Sequence, residues 1–184
     1  AGAIAENGGV YNSEPDTSPD LLVSLPSLTQ HRQNLSQVFQ KLRIAFPHLE
    51  EATDNPFRFT DWTFDVAGLS ESDLMQLQEH SEEEGYSFTY SSVQCHIKPQ
   101  TQDKATGLKT VLSKYFPDLK PEEILTIGDS PNDESLFNPD LFPLSVGVAN
   151  IQHYTQQLTH TPQYITEAAE GKGFCELADY LIGH

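Results

Sequence analysis

The chain has 184 residues, of which 37% are hydrophobic and 20% are charged, and its net charge is −17. This length suits one domain, or one domain that carries a small second domain, and the composition is that of an ordinary globular protein. The 27 acidic residues outnumber the 10 basic residues, and the sequence has no cluster of Lys and Arg of the kind that binds nucleic acid or an anionic membrane. No apolar run reaches the roughly 18 residues of a membrane span.

The first elements are two short strands around a turn. Residues 3–5 are apolar, Glu6-Asn7-Gly8-Gly9 follows, and Val10-Tyr11 begins a second strand. Asn-Gly is the strongest short turn signal. Residues 12–20 are rich in Ser, Pro, Asp and Asn, which is typical of a linker or an exposed loop. The sequence does not begin with Met and has no charged n-region or cleavage site, so we expect a cut inside a larger protein rather than a signal peptide.

The next segment, 21–97, has the pattern of a small α/β unit. Ser27 is a suitable cap for a helix over 28–46, and the aromatic-rich alternation at 57–66 predicts a strand. A second helix opens with a capping box at Ser70 and closes at Gly85, and residues 86–98 form another extended segment.

After residue 98 the pattern changes to alternating helices and strands. Helices are predicted at 103–116, near 132–138, near 151–158 and at 173–182, and strands at 124–127, 144–148 and 163–166. This alternation predicts an α/β fold with a doubly wound parallel sheet.

Carboxylates gather just after the strand at 124–127. Asp129 follows the strand directly, and a helical turn brings Asp133 back to the same side. Ligands bind at the carboxyl ends of parallel strands, and two carboxylates with the amide of Asn132 suit a hard divalent cation. Gly128 permits close approach of the backbone. A plain turn with solvated acids is the alternative, because turn chemistry already accounts for Pro, Asn and Asp here.

The order of motifs along the chain resembles one enzyme family. Gly-Asp-Ser-Pro-Asn-Asp at 128–133 resembles the fourth motif of haloacid-dehalogenase phosphatases, in the Cof-type and sucrose-phosphate-phosphatase-like branch. The segments at 96–99 and 103–108 resemble the third motif of that branch, and the strand and turn at 3–9 resemble the segment before its cap. Residues 146–150 and 164–181 resemble the strand after the fourth motif and the closing elements, so the resemblance covers nearly the whole chain.

The resemblance implies a domain organisation and a cofactor. Residues 1–20 and 98–184 are expected to form an N-terminally incomplete core with the haloacid-dehalogenase-like Rossmann topology, and 21–97 an inserted α/β cap domain. The implied cofactor is Mg²⁺. Asp129 is implied as a direct ligand of the metal, and Asp133 as a residue that assists there.

Other roles follow from the same resemblance. Lys104 is implied to lie between the nucleophile and the transferring phosphoryl group. Its position in the first turn of a helix is unfavourable for a cation, which favours a functional reason over an ordinary surface lysine. Asn132 and Ser130 are expected to orient the metal cluster or the phosphate, and Asn7 is expected to face the active site.

The family's nucleophile motif, Asp-x-Asp-x-Thr after an apolar strand, is absent from the sequence. Residues 61–65 contain two acids at the wrong spacing. We therefore expect the parent protein to be a Mg²⁺-dependent phosphomonoester hydrolase that acts through an aspartyl-phosphate on a small phosphorylated metabolite, most simply a sugar phosphate. The isolated chain is expected to be inactive. A non-catalytic binding or interaction module is the alternative.

Candidate specificity residues lie in the cap segment and at its end. Trp62 can stack on a sugar face and Asp61 can bind hydroxyl groups, with Arg58 beside them, while His96 and Lys98 can reach an anionic leaving group. The alternative is that the alternating aromatic residues at 57–64 are the packing face of a strand.

Cysteine and histidine usage narrows the setting. Cys95 and Cys175 lie far apart without a Cys-x-x-Cys motif, so a reducing, cytoplasmic setting is expected. The seven histidines have no zinc-site spacing. The sequence predicts no oligomeric state.

Overall fold

A computed structural model describes residues 2–14 and 17–183. The chain divides into two compact units, Ala1–Val111 and Leu112–His184, which are considered separately. Residues 15 and 16 of the predicted linker at 12–20 lie outside the described residues. Among the helices of 2–14 and 17–183, none combines the length and apolar character needed to cross a bilayer.

The main elements follow the predicted order of helices and strands. The strands are β1 (Ala3–Ala5), β2 (Val10–Asn12), β3 (Asp20–Leu21), β4 (Trp62–Asp65), β5 (Tyr86–Tyr90), β6 (Gln94–Pro99), β7 (Leu125–Gly128), β8 (Leu144–Gly147) and β9 (Tyr164–Ile165). The α-helices are α1 (Leu28–Ala45), α2 (Glu71–Glu83), α3 (Lys104–Tyr115) and α4 (Glu170–Ile182). The boundary between the two units falls inside α3.

The first unit contains two antiparallel sheets. Strands β1, β2 and β3 pair in that order, and the predicted turn at 6–9 joins the first two. The second sheet has the order β4-β6-β5 and packs with α1 and α2 around one apolar core. Phe39, Phe64, Leu77 and Ile97 are fully buried there. The predicted caps form: Ser27 accepts the N–H of Gln30, and Ser70 and Asp73 make a reciprocal capping box.

Two predictions for the first unit are wrong in detail. The strand predicted at 57–66 covers only Trp62–Asp65, and a 3₁₀ turn occupies Asn55–Phe57. Residues 58–61 are bent instead because their polar groups bind side chains from elsewhere in the unit, as described below. The single extended segment predicted at 86–98 is two strands, β5 and β6, which pair antiparallel.

The second unit contains the predicted parallel sheet, with β7, β8 and β9 paired in that order. The fold is therefore α/β, as the sequence predicts. Two of the predicted helices are 3₁₀ instead: Pro131–Phe137 and Ala149–His153. In the first of these, the Asp133 carboxylate bonds back to the preceding loop, which draws the first turn tight.

Candidate functional site

The loop after β7 gathers its polar groups at the carboxyl end of the parallel sheet. Asp129 is the first residue after the strand and is partly exposed, whereas Asp133 is 5% exposed. One carboxylate oxygen of Asp133 accepts the backbone N–H of Asp129 at 2.9 Å and that of Ser130 at 3.3 Å. Asp133 therefore folds the loop back on itself and holds the backbone of Asp129 in place.

Gly128 makes this closure possible. A Cβ atom on residue 128 would lie 2.4 Å from the Cβ and 2.6 Å from the Cγ of Asp133, which is closer than non-bonded carbon atoms approach each other. Any other residue would push the Asp133 side chain off the loop. The sequence argument for close approach at Gly128 is thus supported by a specific contact.

Two more side chains orient the Asp129 carboxylate. The Ser130 hydroxyl lies 3.0 Å from Oδ1 of Asp129 and 2.8 Å from Oδ1 of Asn132, so its one proton is shared between them. The Asn150 amide donates to the backbone oxygen of Asp129 at 3.1 Å and to Oδ2 at 3.2 Å. Asn150 in turn accepts the N–H of Glu170 at 3.0 Å.

Sequence reasoning missed this role of Asn150. The residue was included only in the resemblance of residues 146–150 to a strand. The signal that was available is topological: Asn150 follows β8, the direct neighbour of β7, and the carboxyl ends of parallel neighbours meet at one edge of the sheet.

The loop offers the oxygen donors that Mg²⁺ prefers, but not a complete set. Asp129 keeps free lone pairs on both oxygens beside its two neutral donors, and Asn132 adds an amide oxygen. Within 2–14 and 17–183, no group of three or more His, Cys, Asp and Glu side chains is placed to hold a metal ion. The residues present therefore fit only part of the ligand set of a divalent cation, and the other ligands would have to come from water or from a further residue.

Lys104 is the first residue of α3, in the first unit. Asp103 precedes it and caps the helix, because its carboxylate accepts the N–H and the hydroxyl of Thr106, both at 2.8 Å. The turn at 6–8 lies against this helix start: a Cβ on Gly8 would be 3.3 Å from the Cα of Lys104. Asn7 and Lys104, both predicted as site residues, thus lie on adjacent segments of one unit.

Three of the predicted specificity residues, the buried Asp61 and His96 and the half-buried Arg58, form one cluster in the first unit, the Asp61 cluster. Asp61 is fully buried; its Oδ1 accepts from Arg58 at 2.8 Å and its Oδ2 from His96 at 3.0 Å. The Asn7 amide is 3.4 Å from the same Oδ2. Burial raises the pKa of Asp61, but the hydrogen bond from His96 and the charge of Arg58 outweigh burial, so its pKa lies below the usual value.

Trp62 and Lys98 are also largely buried, at 9% and 6% exposure. The Arg32 guanidinium lies 4.5 Å from the Trp62 ring centroid and donates to the backbone oxygens of Asp61 and Asn55. The Lys98 ammonium donates to the Gln102 carbonyl at 2.6 Å, and burial lowers its pKa. Arg32 carried no sequence signal, because its role depends on partners about 20 to 30 residues away.

Comparison with known proteins adds sequence relatives and structural neighbours. Phosphoglycolate phosphatase from Methanothrix thermoacetophila is 25% identical over 97% of this chain and 71% of its own length. A Thermoplasma acidophilum protein has a TM-score of 0.68 at 21% identity, over 96% of this chain and 70% of its own. The sucrose-phosphatase of Synechocystis, solved with sucrose and phosphate, has a TM-score of 0.64 at 17% identity, over 96% and 72%.

These two structural likenesses concern the fold alone. The family whose description is haloacid dehalogenase-like hydrolase matches residues 3–174. That range includes both segments described above, the loop after β7 and the Asp61 cluster. The chain belongs to the haloacid dehalogenase-like hydrolase family.

Proposed function

We propose that this chain is part of a Mg²⁺-dependent phosphomonoester hydrolase that acts on a small phosphorylated metabolite. The observation that carries the proposal is the Asp129 carboxylate, which stands at the carboxyl end of β7 with Ser130 and Asn150 fixing its two oxygens. A carboxylate fixed in this way, with free lone pairs, is suited to binding a hard cation. The alternative, a plain turn whose acidic side chains are only solvated, does not account for these fixed contacts.

In this proposal each predicted residue of the loop has a role. Asp129 is the metal ligand, Asp133 holds the loop, and Ser130 and Asn132 orient the phosphate side of the site. Mg²⁺, when bound, neutralises charge on the phosphoryl oxygens. Lys104 supplies a second positive charge for those oxygens. Asn7, whose amide is directed to Asp61, belongs to the turn that lies against the start of the Lys104 helix.

The proposed chemistry needs the carboxylate nucleophile of an Asp-x-Asp-x-Thr motif, and the 184 residues lack this motif. The carboxylate forms a bond to phosphorus while the ester oxygen leaves and takes up a proton, and water then hydrolyses the aspartyl-phosphate. We propose that the parent protein supplies this aspartate in an Asp-x-Asp-x-Thr motif outside the chain described here. Without that motif the isolated chain has no turnover.

We further propose that residues 21–97 act as a cap that selects the substrate, with 1–20 and 98–184 forming the core. A sugar phosphate is the substrate expected from the sequence. A second candidate, phosphoglycolate, is favoured by the name of the relative that matches 97% of the chain. Because Asp61 and His96 are buried against each other, their contribution to selectivity is to fix the cap rather than to touch the substrate.

The test is phosphate release by the complete gene product, assayed with sugar phosphates and phosphoglycolate, with Mg²⁺ and with EDTA. We expect Mg²⁺-dependent turnover of at least one of these esters, and loss of about 100-fold or more for Lys104→Ala. Lys120→Ala, which changes an exposed lysine outside the site, serves as the matched control.

Two results contradict the proposal. Turnover that EDTA does not affect excludes the metal requirement. A complete absence of turnover, together with Mg²⁺ binding that Asp129→Ala does not weaken, favours the alternative of a non-catalytic module.

A further inference from the structure

The turn between β1 and β2 has a strained backbone. Glu6 and Asn7 have φ angles of +53° and +52°, and Gly8 follows at +89°. Two consecutive residues with side chains in the left-handed region are uncommon, because the Cβ crowds the backbone there. Such a conformation persists only where surrounding contacts fix it, and these contacts are present.

Glu6 makes most of these contacts. Its Oε2 accepts the backbone N–H of Thr60 at 2.6 Å and the Thr60 hydroxyl at 2.8 Å, and both oxygens lie 3.0 Å from the N–H of Phe59. The Gln102 amide donates to the backbone oxygen of Glu6. Glu6 is therefore held from the loop at 59–60 and from the segment before α3.

The other side of the turn lies against α3. A Cβ on Gly8 would be 2.1 Å from the carbonyl oxygen of Asp103, and a Cβ on Gly107 would be 2.6 Å from the Cα of Gly8. Backbone thus meets backbone, with no side chain to absorb a shift. The turn therefore lies directly against the backbone of Asp103 and Lys104.

Asn7 lies between Glu6, which is bound by Phe59 and Thr60, and Gly8, which lies against the start of α3. Its amide points to Asp61, which follows directly after the residues that bind Glu6. The bent loop at 58–61 therefore holds both left-handed side chains of the turn. This arrangement explains why the loop is bent where the aromatic pattern predicted a strand.

We infer that Glu6 is a positioning residue for the proposed phosphatase site: its carboxylate, bound by Phe59 and Thr60, fixes the left-handed turn that sets the Asn7 side chain and the start of α3 with Lys104. The inference rests on the proposed function for its catalytic consequence only. The local coupling from Glu6 to Lys104 is a property of the 184-residue chain itself.

The first arm of the test is NMR on the 184-residue chain. Glu6→Ala shifts the resonances of Asn7, Gly8 and the Lys104 side chain. The control is Glu176→Ala, because Glu176 also accepts two backbone N–H groups, from Glu167 and Ala168, in the second unit. This control leaves the Lys104 resonances unchanged. Glu6→Gln, which keeps an acceptor oxygen, produces smaller shifts in the same direction and serves where Glu6→Ala does not fold.

The second arm is steady-state kinetics of the complete gene product. Glu6→Ala lowers kcat about 10- to 100-fold with a change in KM of less than about threefold, because misplaced groups weaken transition-state contacts more than substrate binding. Glu6→Gln recovers part of the loss. Glu176→Ala keeps the kcat of the wild type, even if it lowers the melting temperature as much as Glu6→Ala does. A loss of stability alone therefore does not account for a loss of kcat in Glu6→Ala.

The outcomes separate the two ideas. Lys104 resonances and kcat that remain unchanged in Glu6→Ala overturn the inference and leave Glu6 with a structural role. Absence of turnover in the wild-type gene product overturns the proposed function, while the NMR comparison still decides whether Glu6 positions Lys104.

Discussion

The loop after β7 and the Asp61 cluster are both built around a carboxylate, but they are assembled differently. Asp129 is fixed by residues within four positions and by Asn150. Asp61 is bound by Arg58 nearby, but also by His96 and Asn7, which are 35 and 54 residues away. The first arrangement leaves its carboxylate partly open to a ligand, whereas the second uses up its carboxylate inside the protein. A carboxylate's partners thus distinguish a candidate ligand from a structural anchor.

The largest effect that separates the two regions is expected from Asp129→Ala. In the complete gene product we expect it to lower kcat/KM by about a thousandfold or more, since under the proposed function it removes a ligand of the metal at the transferring group. The free energy of unfolding of the 184-residue chain, measured in urea, changes by less than about 1 kcal/mol, because the residue is partly exposed. A large loss of stability with normal turnover would make Asp129 an anchor like Asp61.

Asp61→Ala is expected to have the opposite signature. It leaves the Arg58 and His96 side chains without their buried acceptor, which costs about 3–5 kcal/mol of stability. Urea unfolding of the 184-residue chain measures this loss, and Asp118→Ala, at an exposed aspartate, is the control. A loss equal to that of the control would show that the cluster contributes little to stability.

Asn150→Ala tests whether the loop after β7 depends on one distant residue. The substitution removes the donor to Asp129 Oδ2 and leaves Asp129, Ser130 and Asp133 in place. We expect Mg²⁺ affinity, measured by titration calorimetry on the complete gene product, to fall about 10- to 100-fold, as is usual when a ligand loses its outer hydrogen bond. Gln152→Ala, at an exposed position of the same 3₁₀ turn, leaves affinity unchanged. Equal affinity in both variants would mean that Ser130 alone orients Asp129.

Local residues made one region predictable from the sequence. The contacts that Asp133 and Ser130 make with Asp129 lie within one turn of chain and follow from the local pattern, whereas the contact from Asn150 does not. Helix caps at Ser27 and Ser70 are local in the same way and form as predicted. The parallel sheet follows from the alternation of helices and strands.

Distant contacts made the other region unpredictable. The sequence identified Asp61, His96 and Arg58 as polar residues of interest, but their burial depends on how β4 and β6 pair, with Thr63 opposite His96. The strand predicted at 57–66 failed for the same reason: Glu6 captures the N–H groups of residues 59 and 60 that a strand would use. No local pattern encodes a partner more than 50 residues away.

The smallest effect involves only the proton on Asp61. Its pKa in the folded chain lies below the ordinary value of an aspartate, because His96 and Arg58 outweigh burial. At acidic pH the unfolded chain therefore binds more protons at this position than the folded chain, and stability rises with pH. The contribution is complete above the ordinary aspartate pKa of about 3.9 and is lost as the pH falls through the folded value. The measurement is the free energy of unfolding in urea at several pH values. Below about pH 4 we expect it to fall more steeply for the wild type than for Asp61→Asn, because the asparagine has no proton to take up. If the free energy of unfolding has the same pH dependence in both proteins, other carboxylates dominate acid unfolding. The charge on Asp61, unlike its hydrogen bonds, then adds nothing to the stability of the cluster.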